Sequence, residues 1–533
     1  MDCTATYLSY EQTGYFSKII LDYLKGDEKL KPFYAYAVST EGIKAAIEER
    51  KKYPTNRKLL VVELQKQYGE TVLAEKQQFH MQQLGNDNTF TITTAHQPNI
   101  FIGHLYFVYK ILHAIKLAAQ LKSDLPEYDF VPVFYMGSED ADLDELGHIY
   151  LFGEKFEWNT KQTGAVGRMK VDKALVNIID TISGQLTVFP FGEQLISLMK
   201  ACYTEGITIE AATFKLLNEL FGEYGLIILL PDTAALKKTF IPVIEKELDE
   251  QFSYKMVAET AEKFPKQYKV QAGGRELNLF YLKDDTRERI EVQGSQYKVN
   301  NSNIKFTKEE LKKELHKNPE RFSPNVILRP VYQEMILPNI AFIGGGGEIA
   351  YWLELKKVFE AVNIPFPVLV LRNSFMIVEK SYELRVTGLG FSASDLFTSE
   401  SELLKELVKR ESTVPLSLDK EKQIIKEFYG HLKKTAGAVD ASLQRHTEAL
   451  HAQALKKIEA LEKKMLRAEK KKFEAQQRQL HKLKSQLFPH DILQERVENF
   501  MPFYAKWGSD FIKVVCENSL GLDQRFTILI EPA

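Results

Sequence analysis

Five short apolar runs in the first part of the chain predict buried β-strands. They occupy residues 90–94, 130–135, 226–230, 340–343 and 367–371. Most of them lead through a turn into a segment whose apolar residues recur at helical spacing, and this alternation predicts a mainly parallel α/β sheet. Ligands bind outside the carboxyl ends of the strands in such sheets, so a site is expected in the segments that follow the strands.

The pattern changes after residue 374. Residues 418–487 contain almost no glycine or proline and are dense in Lys, Glu, Gln, Ala and Leu, with apolar residues mostly three or four apart. This spacing predicts two long helices, about 419–438 and 441–487, that form an antiparallel coiled coil with imperfect heptads. The first of these helices and a second subunit are the candidates to cover the apolar stripe of the longer one. Its basic side chains are interspersed with glutamates, which favours a solvated, salt-bridged face over a nucleic-acid contact.

These patterns divide the chain into a core of residues 1–374, with insertions at about 161–317, and a helical domain of residues 375–533. We expect the C-terminal segment to pack back on the core. The composition, with 44% hydrophobic and 27% charged residues, is that of an ordinary soluble protein. The net charge of −2 excludes a general attraction to nucleic acid or membranes. The three distant cysteines form no zinc or disulfide motif, and neither a signal peptide nor a membrane-spanning run is apparent, so we expect a cytoplasmic protein.

The turn after the first predicted strand is the first candidate site. It contains His96 and Asn99 and ends in Gly103-His104, where a helix over residues 105–121 is predicted. Glycine lets a ligand approach the backbone, and the first amides and the dipole of a helix favour an anion. The order resembles the His-x-Gly-His element that holds nucleotide phosphates in nucleotidyltransferase-type Rossmann domains, with Phe101 in place of the first histidine. The alternative is a helix-capping turn with a surface histidine.

An acidic loop follows the second predicted strand. Its polar residues are Ser138, Glu139, Asp140, Asp142, Asp144 and Glu145. Carboxylates at the end of a buried strand can bind Mg²⁺, an ammonium group or sugar hydroxyls, or act as a general base. The alternative is a solvated loop leading into a helix whose first turn favours acids.

Two more polar segments follow predicted strands. A glycine run lies before a helix predicted over residues 348–362. It can form a backbone nest that binds an anion, or it is simply a tight turn between strand and helix. It matches neither the GxGxxG motif nor a Walker A sequence. The run consists of Gly344, Gly345, Gly346 and Gly347. If the preceding segment is helical, Arg329 and Gln333 lie one turn apart and one ligand could contact both. Arg372 and Ser374 follow the last strand and suit a phosphate or carboxylate, or the arginine is an ordinary surface residue.

Several blocks of residues form a specific pattern when they are taken together. They are Gln97…Gly103…Leu105-Tyr106…Lys110, Pro132-Val133-Phe134 with Glu139-Asp140…Asp142…Asp144-Glu145…His148, Gly167-Arg168-Met169, Phe322-Ser323-Pro324-Asn325-Val326…Leu328-Arg329-Pro330…Tyr332-Gln333, Gly344-Gly345…Gly347-Glu348…Ala350-Tyr351, Leu466-Arg467-Ala468-Glu469-Lys470, and Leu493-Gln494-Glu495-Arg496-Val497-Glu498-Asn499-Phe500…Phe503-Tyr504. In this order they resemble the bacillithiol biosynthesis cysteine-adding enzyme (BshC) family over nearly the whole chain. Two positions depart from that pattern: Ala141 stands where many relatives have histidine, and Gly346 where many have proline.

The resemblance implies an α/β fold with a Rossmann-like, nucleotidyltransferase-type core and connecting insertions, followed by an α-helical antiparallel coiled-coil domain that helps to form a homodimer. It also implies a ligase that adds cysteine to glucosaminyl-malate through an amide bond, the last step of bacillithiol biosynthesis. The sequence leaves open whether ATP and Mg²⁺ take part.

This hypothesis assigns a role to each candidate residue. The catalytic candidates are His104, Glu139, Asp140 and Asp142. The substrate-binding candidates are His96, Asn99, Ser138, Arg329, Gln333 and Tyr351, of which Arg329 and Gln333 would bind the malate carboxylates. The candidates for binding a nucleotide or another anion are Gly103, His104, Gly344, Gly345, Gly346, Gly347, Arg372 and Ser374. No metal ligand is assigned.

Two other classes of function stay open at this point. One is an interaction protein, in which a dimeric coiled coil is joined to a degenerate nucleotide-binding domain; polar residues at most of the predicted strand ends argue against it. The other is an enzyme similar to the aminoacyl-tRNA synthetases that binds RNA. The nearly neutral charge, the absence of a Lys-Met-Ser-Lys-Ser element and Phe101 argue against that alternative.

Overall fold

A computed structural model describes residues 3–531 of the chain. The described residues form two compact units. The first contains the residues up to Met376 together with Ile492–Thr527, and the second contains Ile377–Asp491 and the residues from Ile528 onwards. The last part of the first unit is therefore separated along the chain from the rest by residues 377–491.

A five-stranded parallel sheet forms the centre of the first unit. Its strands are β1 (Thr89–His96), β2 (Asp129–Met136), β3 (Ile227–Leu229), β4 (Asn339–Gly344) and β5 (Val368–Leu371). They lie in the order β3-β2-β1-β4-β5, and every neighbouring pair is parallel. Each strand lies at one of the five predicted positions, because strands that are covered on both faces are nearly continuous apolar runs. The strand order reverses between β1 and β4, so a crevice is expected at the carboxyl ends of these two strands.

Helices cover the two faces of this sheet, as expected where crossover connections join parallel strands. The longest helix of the first unit, Leu105–Asp124, follows β1 and is buried along most of its length. The other helices of this unit are Tyr10–Thr13, Lys18–Leu24, Thr40–Arg50, Arg57–Tyr68, Glu75–Gln83, Leu143–Leu146, Lys173–Leu186, Gly192–Cys202, Ile209–Phe221, Ala234–Glu250, Phe252–Lys263, Lys308–Lys317, Leu328–Ile336, Gly346–Trp352, Lys356–Glu360, Met501–Trp507 and Ser509–Glu517. The helix predicted over residues 348–362 is thus two short helices, separated at Leu353–Leu355.

An antiparallel sheet lies in the part of the chain predicted as an insertion. Its strands, in spatial order, are Lys305–Thr307, Gln296–Val299, Thr286–Gln293, Leu279–Lys283 and Phe322–Pro324. A separate hairpin pairs His148–Leu151 with Glu154–Glu157. The remaining strands are Thr4–Leu8, Ser374–Val378 and Phe526–Ile530.

The second unit is helical. Its helices are Lys380–Gly388, Glu400–Glu411, Asp419–Val439, Leu443–Lys470 and Glu474–Leu487. Ion pairs join Lys422 to Glu462 and Lys433 to Glu448, so the two long helices run antiparallel as predicted. The second long helix is not continuous to Leu487, because a short 3-10 turn interrupts it at Lys471–Phe473. Within residues 3–531, none of the helices combines the length and the apolar character that crossing a membrane requires.

Candidate functional site

A cavity of about 460 Å³ opens at the crevice between β1 and β4. It is in the size range of small-molecule sites, about 300–1,000 Å³. Its walls come from the segments after β1, β2 and β4, from the antiparallel sheet and the helix Leu328–Ile336, and from the C-terminal part of the first unit. Of the residues predicted for the site, His96, Ser138, Glu139, Asp140, Arg329, Gly345, Gly346, Gly347, Tyr351 and Arg372 line it.

The end of β1 contributes a neutral histidine to this cavity. The Nδ1 atom of His96 lies 3.1 Å from the carbonyl oxygen of Gln97, so Nδ1 carries the hydrogen. The Tyr106 hydroxyl lies 3.2 Å from Nε2 and donates to it. Burial and the nearby Lys110 ammonium lower the pKa of His96 to about 3. At neutral pH His96 is therefore uncharged, and its two hydrogen bonds fix the orientation of the ring that lines the cavity.

Glu139 is fixed in the cavity wall by a buried lysine. Lys237 is fully buried, and its ammonium donates to the Glu139 carboxylate over 2.5 Å and to the Phe322 carbonyl oxygen over 2.8 Å. Burial raises the pKa of Glu139 and the Lys237 charge opposes that rise. Lys237, on the helix Ala234–Glu250, is thus the cation that pairs with Glu139 of the loop after β2.

The other carboxylates of the acidic loop differ in their roles. Asp140 lines the cavity and accepts hydrogen bonds from the Gln97 side chain (2.9 Å) and from the amide of Ala141 (2.7 Å). Glu145 also lines the cavity, and partial burial together with Asp142 and Asp140 raises its pKa. The prediction of a catalytic Asp142 is wrong, because its side chain caps the helix Leu143–Leu146 by accepting from the Glu145 amide.

The glycine run after β4 is partly occupied by the protein's own side chains. Glu348 accepts a hydrogen bond from the Gly345 amide (2.8 Å) and one from the buried Lys110 ammonium (2.6 Å). The backbone of Gly345–Gly347 borders the cavity. The prediction for Gly344 is wrong, because this residue is paired within β4 and does not line the cavity; its carbonyl oxygen accepts from the Arg372 amide.

Three arginines in the cavity wall have no carboxylate partner among residues 3–531. Arg287, from the antiparallel sheet, donates to the Ser323 hydroxyl (3.2 Å). Arg329 donates to the Tyr351 hydroxyl (2.9 Å) and to the Gln333 side-chain oxygen (3.3 Å). The third is Arg496, which follows the helical unit in the chain. An anionic ligand is the natural partner of such guanidinium groups.

The Gly103-His104 turn is not an anion site, contrary to the prediction. The first amide of the helix, that of Leu105, donates to the Glu498 carbonyl oxygen (2.8 Å). The Nδ1 atom of His104 lies 2.8 Å from the Val497 carbonyl oxygen, so the segment that follows Arg496 covers this helix end. Asn499 donates to the Gly103 carbonyl oxygen.

Asn99 also lies outside the cavity, which corrects its assignment to substrate binding. It is buried beside Gly103, where a Cβ atom in place of the Gly103 hydrogen would lie 2.9 Å from the Asn99 Cβ atom. Gly103 has a φ of +61°, a backbone conformation that glycine adopts readily. The glycine is required by this close packing and not by a ligand.

Arg372 is neutralised within the protein. Its guanidinium donates to both carboxylate oxygens of Glu495, over 2.9 and 2.7 Å, and the two side chains are 3% and 0% exposed. The same guanidinium donates to the Ser374 hydroxyl over 3.0 Å. The predicted anion-binding role is therefore wrong for Ser374, which lies outside the cavity wall. It is also wrong for Arg372, which borders the cavity but has its charge compensated by Glu495.

Gln333 is one helical turn from Arg329, as predicted, but it does not reach the cavity. It is fully buried and bonds to Arg329 on one side and to Glu334 on the other. Among residues 3–531, His, Cys, Asp and Glu side chains form no group of three or more that could hold a metal ion.

Sequence reasoning missed several cavity residues. Arg287 lies in an insertion strand with no motif around it, and no local signal could have identified it. Four other cavity residues belong to blocks that carry the family resemblance, and that membership was the available signal; they are Gln97, Tyr106, Glu145 and Arg496.

Comparisons with known proteins agree with this architecture. Residues 1–373 match a family model described as "Bacillithiol biosynthesis BshC, N-terminal Rossmann-like domain", and residues 375–531 match "Bacillithiol biosynthesis BshC, C-terminal coiled-coil domain". A protein of Flavobacterium johnsoniae named "Putative cysteine ligase BshC" is 40% identical over 524 residues, which is 98% of this chain and 99% of that protein. Proteins of the same name are 41% identical in Flavobacterium psychrophilum, covering 98% of both chains, and 38% identical in Cytophaga hutchinsonii, covering 93% of both. As its sequence blocks predict, the chain belongs to the bacillithiol biosynthesis BshC family.

Proposed function

We propose that this protein is a ligase of bacillithiol biosynthesis that joins cysteine to glucosaminyl-malate through an amide bond. The names of its relatives support a cysteine ligase. The observation that supports glucosaminyl-malate as the substrate is the composition of the cavity wall. There, arginines without carboxylate partners occur together with the carboxylates of Asp140 and Glu145. Glucosaminyl-malate itself combines two carboxylates with an amine.

The arginines would bind the malate end of this substrate. Arg287 and Arg329 both have neutral hydrogen-bond partners, so their charge is free to attract a carboxylate. Guanidinium groups bind carboxylates with paired, charge-assisted hydrogen bonds, which fix the direction as well as the position of the ligand. The acidic loop would then bind the ammonium group of the glucosamine.

Glu145 is the best candidate for the general base. Amide formation requires the amine to lose a proton as the new carbon–nitrogen bond forms, while a carboxyl oxygen of cysteine leaves with its activating group. A carboxylate with a raised pKa accepts a proton more readily near neutral pH than an ordinary one. Partial burial and two neighbouring acids raise the pKa of Glu145, whereas Glu139 is held by Lys237.

The candidate cosubstrate for activating the cysteine carboxyl group is ATP with Mg²⁺. Glu348 already occupies the Gly345 amide, and chain segments cover the His104 turn. The groups that could hold a phosphate are therefore the Gly346 and Gly347 backbone and Arg496, which all line the cavity.

The test is mass spectrometry of the purified full-length protein incubated with cysteine and glucosaminyl-malate, with and without Mg-ATP. We expect an amide product, and the formation of AMP or ADP in step with it would identify the activation chemistry. Absence of product in both reactions, from folded protein that still binds glucosaminyl-malate, would argue for a different acyl donor. Absence of both binding and product would refute the proposal.

We also propose that the protein forms a homodimer through its helical unit. Ile424, Phe428 and Leu432 lie at successive turns of the helix Asp419–Val439, and they are 64%, 57% and 37% exposed. A stripe of this spacing on a coiled-coil helix is the surface that a second helix covers.

A further inference from the structure

Gln333 does not line the cavity, yet its polar side-chain amide is fully buried beside a residue that does, Arg329. We propose that Gln333 is a positioning residue that aims the Arg329 guanidinium into the cavity while leaving its charge available for an anionic substrate. This inference rests on the proposed function, because it assumes that Arg329 binds a carboxylate of that substrate.

The Gln333 side chain connects Arg329 to a buried ion pair. Its Nε2 group donates to the Oε1 atom of Glu334 over 3.0 Å, and its Oε1 atom accepts from Arg329 over 3.3 Å. The Asn339 side chain also donates to Glu334 Oε1, over 2.7 Å, and Arg50 donates to Glu334 Oε2 over 2.7 Å. The chain of contacts therefore runs from Arg50 through Glu334 and Gln333 to Arg329.

The orientation of the amide follows from this arrangement. Glu334 offers Gln333 a carboxylate oxygen, which can only accept, so the amide nitrogen must face Glu334 and the amide oxygen must face Arg329. Asn339 is itself fixed, because its side-chain oxygen accepts from the Thr93 hydroxyl over 2.8 Å. Gln333, Glu334 and Asn339 are each 1% exposed or less, so water cannot substitute for these contacts.

The electrostatic consequence is that the Arg329 guanidinium bonds to no carboxylate of residues 3–531. The negative charge of Glu334 is compensated by Arg50, and what reaches Arg329 is a neutral amide oxygen. Elsewhere in the same unit the protein places acids directly on its arginines, as with Glu495 on Arg372 and Asp232 on Arg168. A glutamate at position 333 would do the same to Arg329 and compete with the substrate.

The experiment measures the binding of L-malate and of glucosaminyl-malate by calorimetry, which requires no turnover. Gln333→Met keeps the volume of the side chain and removes its polar atoms; we expect the dissociation constants to rise about tenfold, since a hydrogen bond to a charged group is lost. Gln333→Glu should also weaken binding, because the new carboxylate would neutralise Arg329. The matched control is Gln77→Met, since Gln77 is equally buried and bonds to Asn218 and Leu226 away from the cavity. It should cost stability without changing either dissociation constant.

A double-mutant cycle separates positioning from a general loss of structure. If Gln333 acts through Arg329, Gln333→Met should have almost no further effect on binding in an Arg329→Met background. Equal effects in both backgrounds would overturn the inference, and so would wild-type affinity in Gln333→Glu. If the wild-type protein binds neither ligand, the proposed substrate is refuted. If it binds both and only Arg329→Met weakens binding, the positioning role alone is refuted.

Discussion

The buried ion pair between Arg372 and Glu495 should be among the most costly contacts of the first unit to break. Replacing Glu495 by Gln removes the counter-charge of a guanidinium that is 3% exposed. It also weakens the acceptor of the Phe375 amide, which lies 3.2 Å from Glu495 Oε2. Breaking a buried pair by removing one partner costs about 3–5 kcal/mol, because a buried charge is left without compensation. We expect Glu495→Gln to lower the free energy of unfolding by an amount in this range.

The assay is urea denaturation followed by tryptophan fluorescence. The chain has three tryptophans, Trp158, Trp352 and Trp507, and all of them lie in the first unit, so the signal reports that unit. Arg372→Met and Glu495→Met should each cost a similar amount, whereas the two changes combined should cost clearly less than the sum of these single costs, since no buried charge then remains.

An exposed pair supplies the control. Lys25 and Glu11 lie 2.8 Å apart, with side chains that are 56% and 62% exposed, and Glu11→Gln should change the free energy of unfolding by less than about 1 kcal/mol. A cost as small as this for Glu495→Gln would refute the reasoning. So would additive costs in the double variant, because additivity would mean that Arg372 and Glu495 do not stabilise one another.

Four further predictions follow from other contacts. Gly103→Ala should destabilise the first unit by at least about 2 kcal/mol in the same urea assay, because φ is +61° and the added Cβ would lie 2.9 Å from Asn99. Burial raises the pKa of Glu498 to about 7 from 4.5, so the folded protein holds this proton more tightly than the unfolded chain. The free energy of unfolding of the wild-type protein should therefore fall by about 3 kcal/mol relative to that of Glu498→Gln as the pH rises from 4.5 to 7. Parallel curves of unfolding free energy against pH for the two proteins would contradict this. Glu145→Gln should lower kcat about 100-fold, whereas Asp144→Asn, outside the cavity wall, should leave kcat unchanged; equal rates would remove Glu145 as the base. Phe428→Glu should convert the proposed homodimer to a monomer in light scattering, and an unchanged dimer mass would place the interface elsewhere.

The sheet could be predicted from the sequence because its signal is local. A parallel strand that is buried on both faces is a short apolar run, and the turn that follows it is polar where a ligand binds, so β1 to β5 and the acidic loop were predictable. Contacts between segments far apart in the chain have no such signal. The local sequence around His104 and Arg372 is typical of anion sites, but Val497 and Glu495 occupy their polar groups.

The same limit explains the arginines of the cavity. Arg329 was predictable because Gln333 follows it by one helical turn, although the spacing could not reveal that Gln333 points away from the cavity. Arg287 and Arg496 reach the cavity only through tertiary packing of an insertion and of the C-terminal segment. A basic residue in such a segment has the same local appearance as one on a solvated surface.

The return of residues 492–527 to the first unit has a consequence for biosynthesis of the protein itself. Glu495, Arg496 and Asn499 leave the ribosome only after the helical unit has been translated, yet they neutralise Arg372, border the cavity and bind the Gly103 carbonyl oxygen. During translation the nascent first unit therefore carries an uncompensated guanidinium and an open helix end. A chain released before residue 499 would lack a finished cavity, so catalytic competence arises only after residues 377–491 have been synthesised, and products terminated within that segment should be unstable as well as inactive.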